Sequence, residues 1–508
     1  MENNVLKVIF DGEEVGRLYW DKQGNRAVFS YTASFVKKGI DIAPLVAPIK
    51  NWSPNAFPIL GNKDKTYQGL PPFIADSLPD RWGNKVFEQW AAQNHIPLRQ
   101  LTPVDKLAFI GKRGMGALEF EPATSELESS EKLEIDSLYK LAKEIFNERE
   151  QIAILPDEQL TLQSLYEVGT SAGGQHPKAI IAINEKTGDI RSGQVLLPPD
   201  FTYYILKFAE SGDFPFTNIE ITYYEVAKLA GINIMPSKLI EIDGKQHFLT
   251  QRFDRKNGKK IHIQTLAAMM PDATSYEELF AVCRELSIPQ TEIEEQYKRL
   301  IFNQFGGNID DHSKNFSFMM EADNQWHITP AYDLTFTTNL DGANYENRHS
   351  LTLLGKDNGI TEKDLLLFAQ ENNIREADKI IAEVAEAFTH LYELALNNGV
   401  DAYWADRIEA FVAQLVPSTF AERMKHYLPT IIEPYKTDNN LTVCNFKLTE
   451  TPHHDFHFTA EINGQKYRYT ARRNSELAKE IILNGRGKMS VECIKRLIAA
   501  YLLPLVKG

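Results

Sequence analysis

The chain opens on short apolar runs punctuated by Asp and Gly. Val5 to Phe10, Val15 to Trp20 and Ala27 to Tyr31 are separated by Asp11-Gly12 and by Asp21 to Gly24. Runs of this kind predict a three-stranded meander. Over residues 73–95 the period changes, and Phe73, Ile74, Leu78, Trp82, Val86, Phe87 and Trp90 fall on a helical stripe. Residues 121–136 carry six acids and one lysine, the composition of a solvated linker. An N-terminal subdomain is therefore expected to end near residue 125.

Strand-like runs follow at 179–183 and 203–208. Ile219 to Ala230 has helical spacing and stops at Gly231, and Asp243-Gly244 separates two runs that read as a hairpin, 238–242 and 247–253. From Tyr276 to about Leu428 the pattern is helical, interrupted by a β-like island from Asn315 to Tyr332. Beyond residue 435, strand patterns at 441–446, 456–462 and 466–470 precede helical ones at 476–483 and 491–503. The reading is an α+β chain in four parts: a β-rich subdomain (1–125), a sheet-bearing lobe (126–260), a mostly helical lobe (261–430) and a small α+β appendage (431–508).

Composition narrows the function classes. The 508 residues are 43% hydrophobic with a net charge of −14, which is globular and long enough for several domains. The acidic surplus argues against the chain, acting alone, as a sequence-independent nucleic-acid binder. Cys283, Cys444 and Cys493 lie far apart, so no disulfide framework or paired-cysteine metal site is readable. The N-terminus lacks a secretory pattern, and Leu497 to Val506, the longest apolar candidate, is short and contains Pro504. The expectation is a cytoplasmic protein with no membrane association.

The chemistry concentrates in Gly306-Gly-Asn-Ile-Asp-Asp-His-Ser-Lys-Asn-Phe316. Asp310 and Asn315 have the D-x-x-x-x-N spacing of kinase catalytic loops, where the Asp takes the hydroxyl proton and the Asn holds Mg²⁺. Asp311 is out of that register. His312 and Lys314 add hydrogen-bonding or positive groups beside the transferring phosphoryl. A strand pattern then returns to Ala331-Tyr-Asp333-Leu, where Asp333 is placed to be the second metal ligand. Lys207 ends an otherwise apolar strand, a costly position unless anions meet it. Glu220 or Glu225 on the next helix could pair with it. Upstream, Thr170-Ser-Ala-Gly-Gly-Gln-His-Pro-Lys178 could cradle phosphates through Gly173, Gly174 and Lys178.

Each motif has a plainer reading. A D-x-x-x-x-N is common, a strand lysine is often solvated, and two glycines often make a turn. Their order is what points to phosphoryl transfer: glycine loop, strand lysine, helix glutamate, hairpin, catalytic Asp, strand, metal Asp. Gly111-Lys-Arg-Gly-Met-Gly116 lacks a strand–helix context and reads as a structural turn. His453 and His457 fall in a strand-like stretch, where a metal site is disfavoured.

These segments, with Gln251-Arg-Phe-Asp-Arg255, resemble the HipA family of toxin serine/threonine kinases over roughly residues 1–430. The resemblance implies a two-lobed, protein-kinase-like fold using ATP and Mg²⁺. It implies Asp310 as the catalytic residue, with Asn315 and Asp333 on the metal. Lys207 and residues Ala172 to Lys178 would hold the ATP phosphates, and Gln251, Arg252 and Phe253 would form the hinge against adenine. It also implies autophosphorylation near the glycine loop, with Thr170 and Ser171 as acceptors. A helix-turn-helix HipB-like antitoxin is the implied partner, operator DNA is reached only through that complex, and an aminoacyl-tRNA synthetase is a conceivable protein substrate. Residues 431–508 exceed the resemblance. Two rivals remain: a small-molecule phosphotransferase on the same core, and a non-enzymatic, ATP-binding corepressor.

Overall fold

The computed structural model describes residues 5–124, 132–147, 155, 158–170, 174–256, 258–341, 347–421, 424, 434–437, 440–450, 456–472, 475 and 495–506. Strands Leu6–Phe10, Glu13–Asp21 and Arg26–Tyr31 make the expected antiparallel meander. Leu118–Glu121 and Ile59–Leu60 extend it to five strands. The helix expected over 73–95 is split into Pro72–Ala75 and Arg81–Gln93. Pro79 explains the break, because a proline disfavours helical backbone at the residue before it.

Helices Ile135–Asn147 and Gln159–Gly169 occupy a stretch where no element is expected. With helix Arg81–Gln93 they pack on a second sheet, and Trp82, Val86, Leu138, Leu165, Ile181 and Leu206 share one core. That sheet runs Asp189–Ser192, Lys178–Asn184, Phe201–Lys207, Lys245–Gln251, Ser237–Ile242, all antiparallel. Its last two strands are the expected hairpin. Helix Phe216–Leu229 packs against them.

The helical lobe contains Tyr276–Glu285, Gln290–Gly306, Glu362–Glu371, Ala377–Phe388, Leu391–Asn397 and Ala402–Val412. The β-like island is the hairpin Ser317–Met320 and Trp326–Ile328, joined by His262–Thr265 as a third strand. Between Asp333 and Thr361 the described residues form no helix, contrary to the helical expectation there. This segment spends its backbone groups on other segments: Ser350 N–H donates to the Ile309 carbonyl, and Thr352 N–H to that of Thr274.

The lobes are not separate bodies threaded in sequence. One continuous core holds Leu6, Val8 and Phe29 of the first sheet with Tyr276, Leu300 and Phe388 of the helical lobe. Residues before 125 therefore supply parts to both lobes. The appendage is different. Tyr435–Lys436, Thr442–Glu450, Phe456–Ile462 and Gln465–Ala471 form a four-stranded sheet in chain order. Phe456, Phe458, Ile462, Leu497 and Leu502 make its own core, with Tyr403 of the helical lobe packed against it. The helix expected at 476–483 lies outside the described residues. Among the described residues no helix is long and apolar enough to cross a membrane. The architecture is α+β, with a sheet-bearing lobe and a mostly helical lobe as expected.

Candidate active site

The candidate catalytic segment begins where helix Gln290–Gly306 stops. Gly307 adopts φ +64°, and its N–H caps the Asn303 carbonyl, a left-handed cap that favours glycine. The chain then turns on a lattice of side chains. Asn308 Nδ2 donates to Asn303 Oδ1 at 2.9 Å. The Ile309 and Asp310 N–H groups both donate to Thr337 Oγ1, at 2.8 and 3.1 Å.

The two adjacent aspartates have opposite fates. Asp311 is buried, accepting from Tyr276 Oη at 2.6 Å and from the Ser350 N–H at 2.8 Å, with His349 Nδ1 at 2.9 Å. Asp310 is left facing outward, half-exposed, with His312 Nε2 3.8 Å away. Asn315 Nδ2 donates to the Asp310 carbonyl at 2.7 Å, closing the loop on itself. Partial burial, with Asp333 and Asp311 nearby, pushes the Asp310 carboxyl above its ordinary range; His312 and His176 oppose this. A raised carboxylate beside a cleft suits a proton acceptor.

Lys207 closes its strand against two carboxylates. Its Nζ lies 2.5 Å from Glu220 Oε1 and 2.5 Å from Asp333 Oδ1. Geometry thus resolves the helix glutamate as Glu220; Glu225 instead accepts from Asn398 at 2.7 Å. Burial works against the Lys207 charge, but Asp333 and Glu220 outweigh it and hold the ammonium above its usual range. Burial also opposes the Asp333 charge, yet Lys207 and Lys178 keep its carboxyl well below the carboxylate range. Lys178 sits directly across the ladder from Lys207 and is itself buried. Asp333 has φ +52°, rare for a residue with a side chain, and Asn308 Nδ2 donates to its carbonyl at 3.3 Å.

Lys314, expected beside the phosphoryl group, has its Nζ 2.8 Å from Asp80 Oδ1. The other Asp80 oxygen accepts the Gly174 N–H at 2.8 Å. Asp80 is the main site residue the sequence reading missed. Its only sequence signal is an Asp before a helix, which reads as an ordinary N-cap; here it makes no cap hydrogen bond. Asp76, also missed, accepts from the Thr265 N–H and Oγ1 at 2.8 and 2.9 Å. Burial lifts its carboxyl to about 6.

Ser171, Ala172 and Gly173 lie outside the described residues. Thr170 is buried, and its hydroxyl donates to the Tyr166 carbonyl at 2.8 Å. It faces the interior, which departs from the expectation of a phosphate acceptor there. At the expected hinge, Phe253 approaches the Tyr332 ring at 5.9 Å and Gln251 continues its strand. The Arg252 guanidinium does not face the cleft. It is buried on Asp254, with contacts of 2.7 and 2.6 Å, and on the Gly193 carbonyl at 3.2 Å. Gly111 to Gly116 is a turn, with the Gly116 N–H on Asp254 and the Gly114 carbonyl on Arg255.

The donor set fits Mg²⁺. Asn315 and Asp333 line the same small polar cavity with Asn308 and Tyr332. One carboxylate kept anionic and one amide oxygen are hard donors, leaving room for phosphate and water ligands. Among the described residues, no group of three or more His, Cys, Asp or Glu could hold a metal by itself. His453 is outside the described residues, and His457 pairs with Thr470 Oγ1 at 2.9 Å.

Comparison with known proteins places the chain in a family. Residues 6–121 match the HipA N-terminal domain, and residues 170–391 match the HipA-like C-terminal domain. The Sinorhizobium fredii protein "Putative kinase Y4mE" is 26% identical over 360 residues, covering 66% of this chain and 78% of that protein. The Shewanella oneidensis HipA, solved with HipB and operator DNA, has the same fold. Its TM-score is 0.56 at 15% identity, over 83% of this chain and 97% of that one. With both HipA domains present, the chain belongs to the HipA family.

Proposed function

We propose that this chain is an ATP- and Mg²⁺-dependent serine/threonine protein kinase, the toxin of a HipBA-like toxin–antitoxin pair. The observation that carries this is the convergence of Lys207 on Glu220 and Asp333, beside the Asp310–Asn315 loop. Asp310 takes the proton from the attacking hydroxyl. His312 Nε2 lies 3.8 Å from that carboxylate, a neighbour beyond hydrogen-bond distance. Lys207, steadied by Glu220, and the buried Lys178 receive the nucleotide phosphates together with the loop Ala172 to Gly174. Asn315 and Asp333 hold Mg²⁺, which supplies charge neutralisation on the phosphates when bound. The backbone of Gln251 to Phe253 meets adenine. Because the Arg252 guanidinium is committed to Asp254, its part is confined to the main chain.

The partners follow from the family: a HipB-like antitoxin, operator DNA through that complex, and a cellular protein substrate such as an aminoacyl-tRNA synthetase. Self-modification is expected at Ser171 before Thr170, whose hydroxyl is turned inward.

The test is mass spectrometry of the full chain after incubation with ATP and Mg²⁺, with Asp310→Asn alongside. Phosphate on the wild type, reduced about 10²–10⁴-fold in the variant, is the expected outcome. The wild-type rate should rise with pH through an apparent pKa above that of an ordinary aspartate, since the deprotonated carboxylate is the acceptor. ATP binding with no incorporation in either protein, on itself or on an acceptor panel, would sink the kinase reading in favour of the corepressor.

A further inference from the structure

We infer that Asp80, supplied by the N-terminal subdomain, is a positioning residue that sets both the catalytic-loop lysine and the glycine loop for phosphoryl transfer. The inference rests on the kinase reading above and adds to it a part for the first 125 residues.

One carboxylate serves two partners. Oδ1 takes Lys314 Nζ and Oδ2 takes the Gly174 N–H, each at 2.8 Å. The partners lie 234 and 94 residues away, so this contact ties three distant segments at one point. Asp80 is placed at the start of helix Arg81–Gln93 yet gives that helix no side-chain cap. Both of its oxygens are thus directed outward, to the two active-site segments.

The neighbours of Asp80 have the same target. Arg81 Nη1 donates to Gln175 Oε1 at 3.2 Å, and the Trp82 N–H donates to the Gly174 carbonyl at 3.3 Å. Trp82 Nε1 donates to the Lys178 carbonyl at 2.9 Å. Gly83 lies so close to the Thr170 carbonyl that an added Cβ would stand 2.4 Å from it. Residues 80–83 therefore seat Thr170 and the stretch from Gly174 to Lys178. Gly174 holds φ +97° there, and an added Cβ would meet Lys178 Nζ at 2.5 Å.

The other side of the clamp is equally tied down. The Lys314 carbonyl accepts from Tyr332 Oη at 2.8 Å, next door to Asp333. The link Asp76 to Asp80 is anchored at its far end by Thr265. A free lysine stem has many rotamers, and fixing it costs entropy that a charge-assisted hydrogen bond offsets. With Asp80 in place, the catalytic loop and the glycine loop keep a set spacing. Effects of geometry on this scale act on turnover more than on ground-state affinity.

The test uses the full chain and compares wild type, Asp80→Asn, Lys314→Met and the double variant. Phosphate incorporation at saturating ATP, affinity for Mg–AMP-PNP and amide exchange over residues 174–178 are measured. Asp80→Asn should lower incorporation about 10–100-fold, change affinity by less than about threefold, and speed exchange over 174–178. Lys314→Met should lower incorporation without speeding that exchange, and the double variant should be no worse than the poorer single one. Wild-type incorporation in Asp80→Asn overturns the inference. So does a double-variant loss equal to the product of the single losses together with unchanged exchange. If the wild type transfers no phosphate at all, the kinase reading falls. The clamp is then decided by exchange alone, and unchanged exchange in Asp80→Asn removes it too. Should Asp80→Asn not fold, Lys314→Met still decides: wild-type incorporation there overturns the inference.

Discussion

The charged cluster between the lobes and the C-terminal sheet hold themselves together by opposite means. In the cluster, Lys207 meets carboxylates 13 and 126 residues away, and Lys314 meets one 234 residues away. These groups are partly or fully withdrawn from water, so each charge depends on its partners remaining in place. In the C-terminal sheet every strand pairs with its neighbour in chain order, and the core is apolar. Among the described residues, Tyr403 is the hydrophobic side chain that the helical lobe packs against this core. The difference teaches where coupling is to be found: substitutions in the cluster should be felt across both lobes, and those in the sheet should stay local.

The largest effect that would sharpen this contrast is Lys207→Met. Removing the ammonium leaves Glu220 and Asp333 facing each other without the cation that joins them, with Lys178 nearby. Breaking a buried pair from one side costs about 3–5 kcal/mol, and phosphoryl transfer should fall about 10³-fold. Burial and Asp333 already raise the Glu220 carboxyl, and loss of Lys207 removes the main opposing charge. A raised acid adds stability at low pH and loses it as pH rises through the folded value. The variant should therefore be weakest, relative to wild type, on the alkaline side. Urea midpoints from pH 5 to 9 check this, and a pH-independent difference would contradict it.

The next effect tests the other half of the comparison. Phe458 is 1% exposed in the appendage core, and truncating a buried Phe costs about 3–5 kcal/mol. Phe458→Ala should give a separate, earlier calorimetric transition while Mg–AMP-PNP affinity stays at the wild-type level. A single transition shifted as a whole, with affinity lost, would show that the appendage is coupled to the site and would break the contrast.

The same contrast explains how much was legible. The appendage strands were readable because alternation such as Phe456, Phe458, Ala460, Ile462 is a local signal. Lys207, Asp310, Asn315 and Asp333 were readable because their spacing and order are written along the chain, although the pairing with Glu220 needed coordinates to separate it from Glu225. Asp80 was not readable, since its partners are set by the approach of three segments and its local context looks like a cap. The direction of the Arg252 side chain was not readable for a related reason: beside the hinge it could face ligand or interior, and only the approach of the Gly193 carbonyl and Asp254 decides. Helices Ile135–Asn147 and Gln159–Gly169 were missed next to a polar stretch whose acids drew attention from their apolar stripes.

The smallest effect asks whether region or burial sets the response. Asp364 belongs to the catalytic body but lies on its surface, accepting from Lys356 Nζ at 2.7 Å and from the Thr361 N–H at 2.8 Å as part of a capping box. The Lys356 hydrogen bond, then those from Thr361, lower its carboxyl to about 2. A depressed acid contributes stability above its unfolded value of about 3.9, and that contribution is lost as pH falls toward 2. Solvent screens such a pair, so Asp364→Asn should cost only about 0.5 kcal/mol at pH 7. The cost should shrink on going to pH 3, read as converging urea midpoints for the two proteins. Transfer activity should not change. If Asp364→Asn instead cost as much as Lys207→Met, membership of the catalytic body would matter more than withdrawal from water. The small value expected here assigns the sensitivity of the cluster to its burial and its long-range partners, and would make the body's outer surface behave like the appendage.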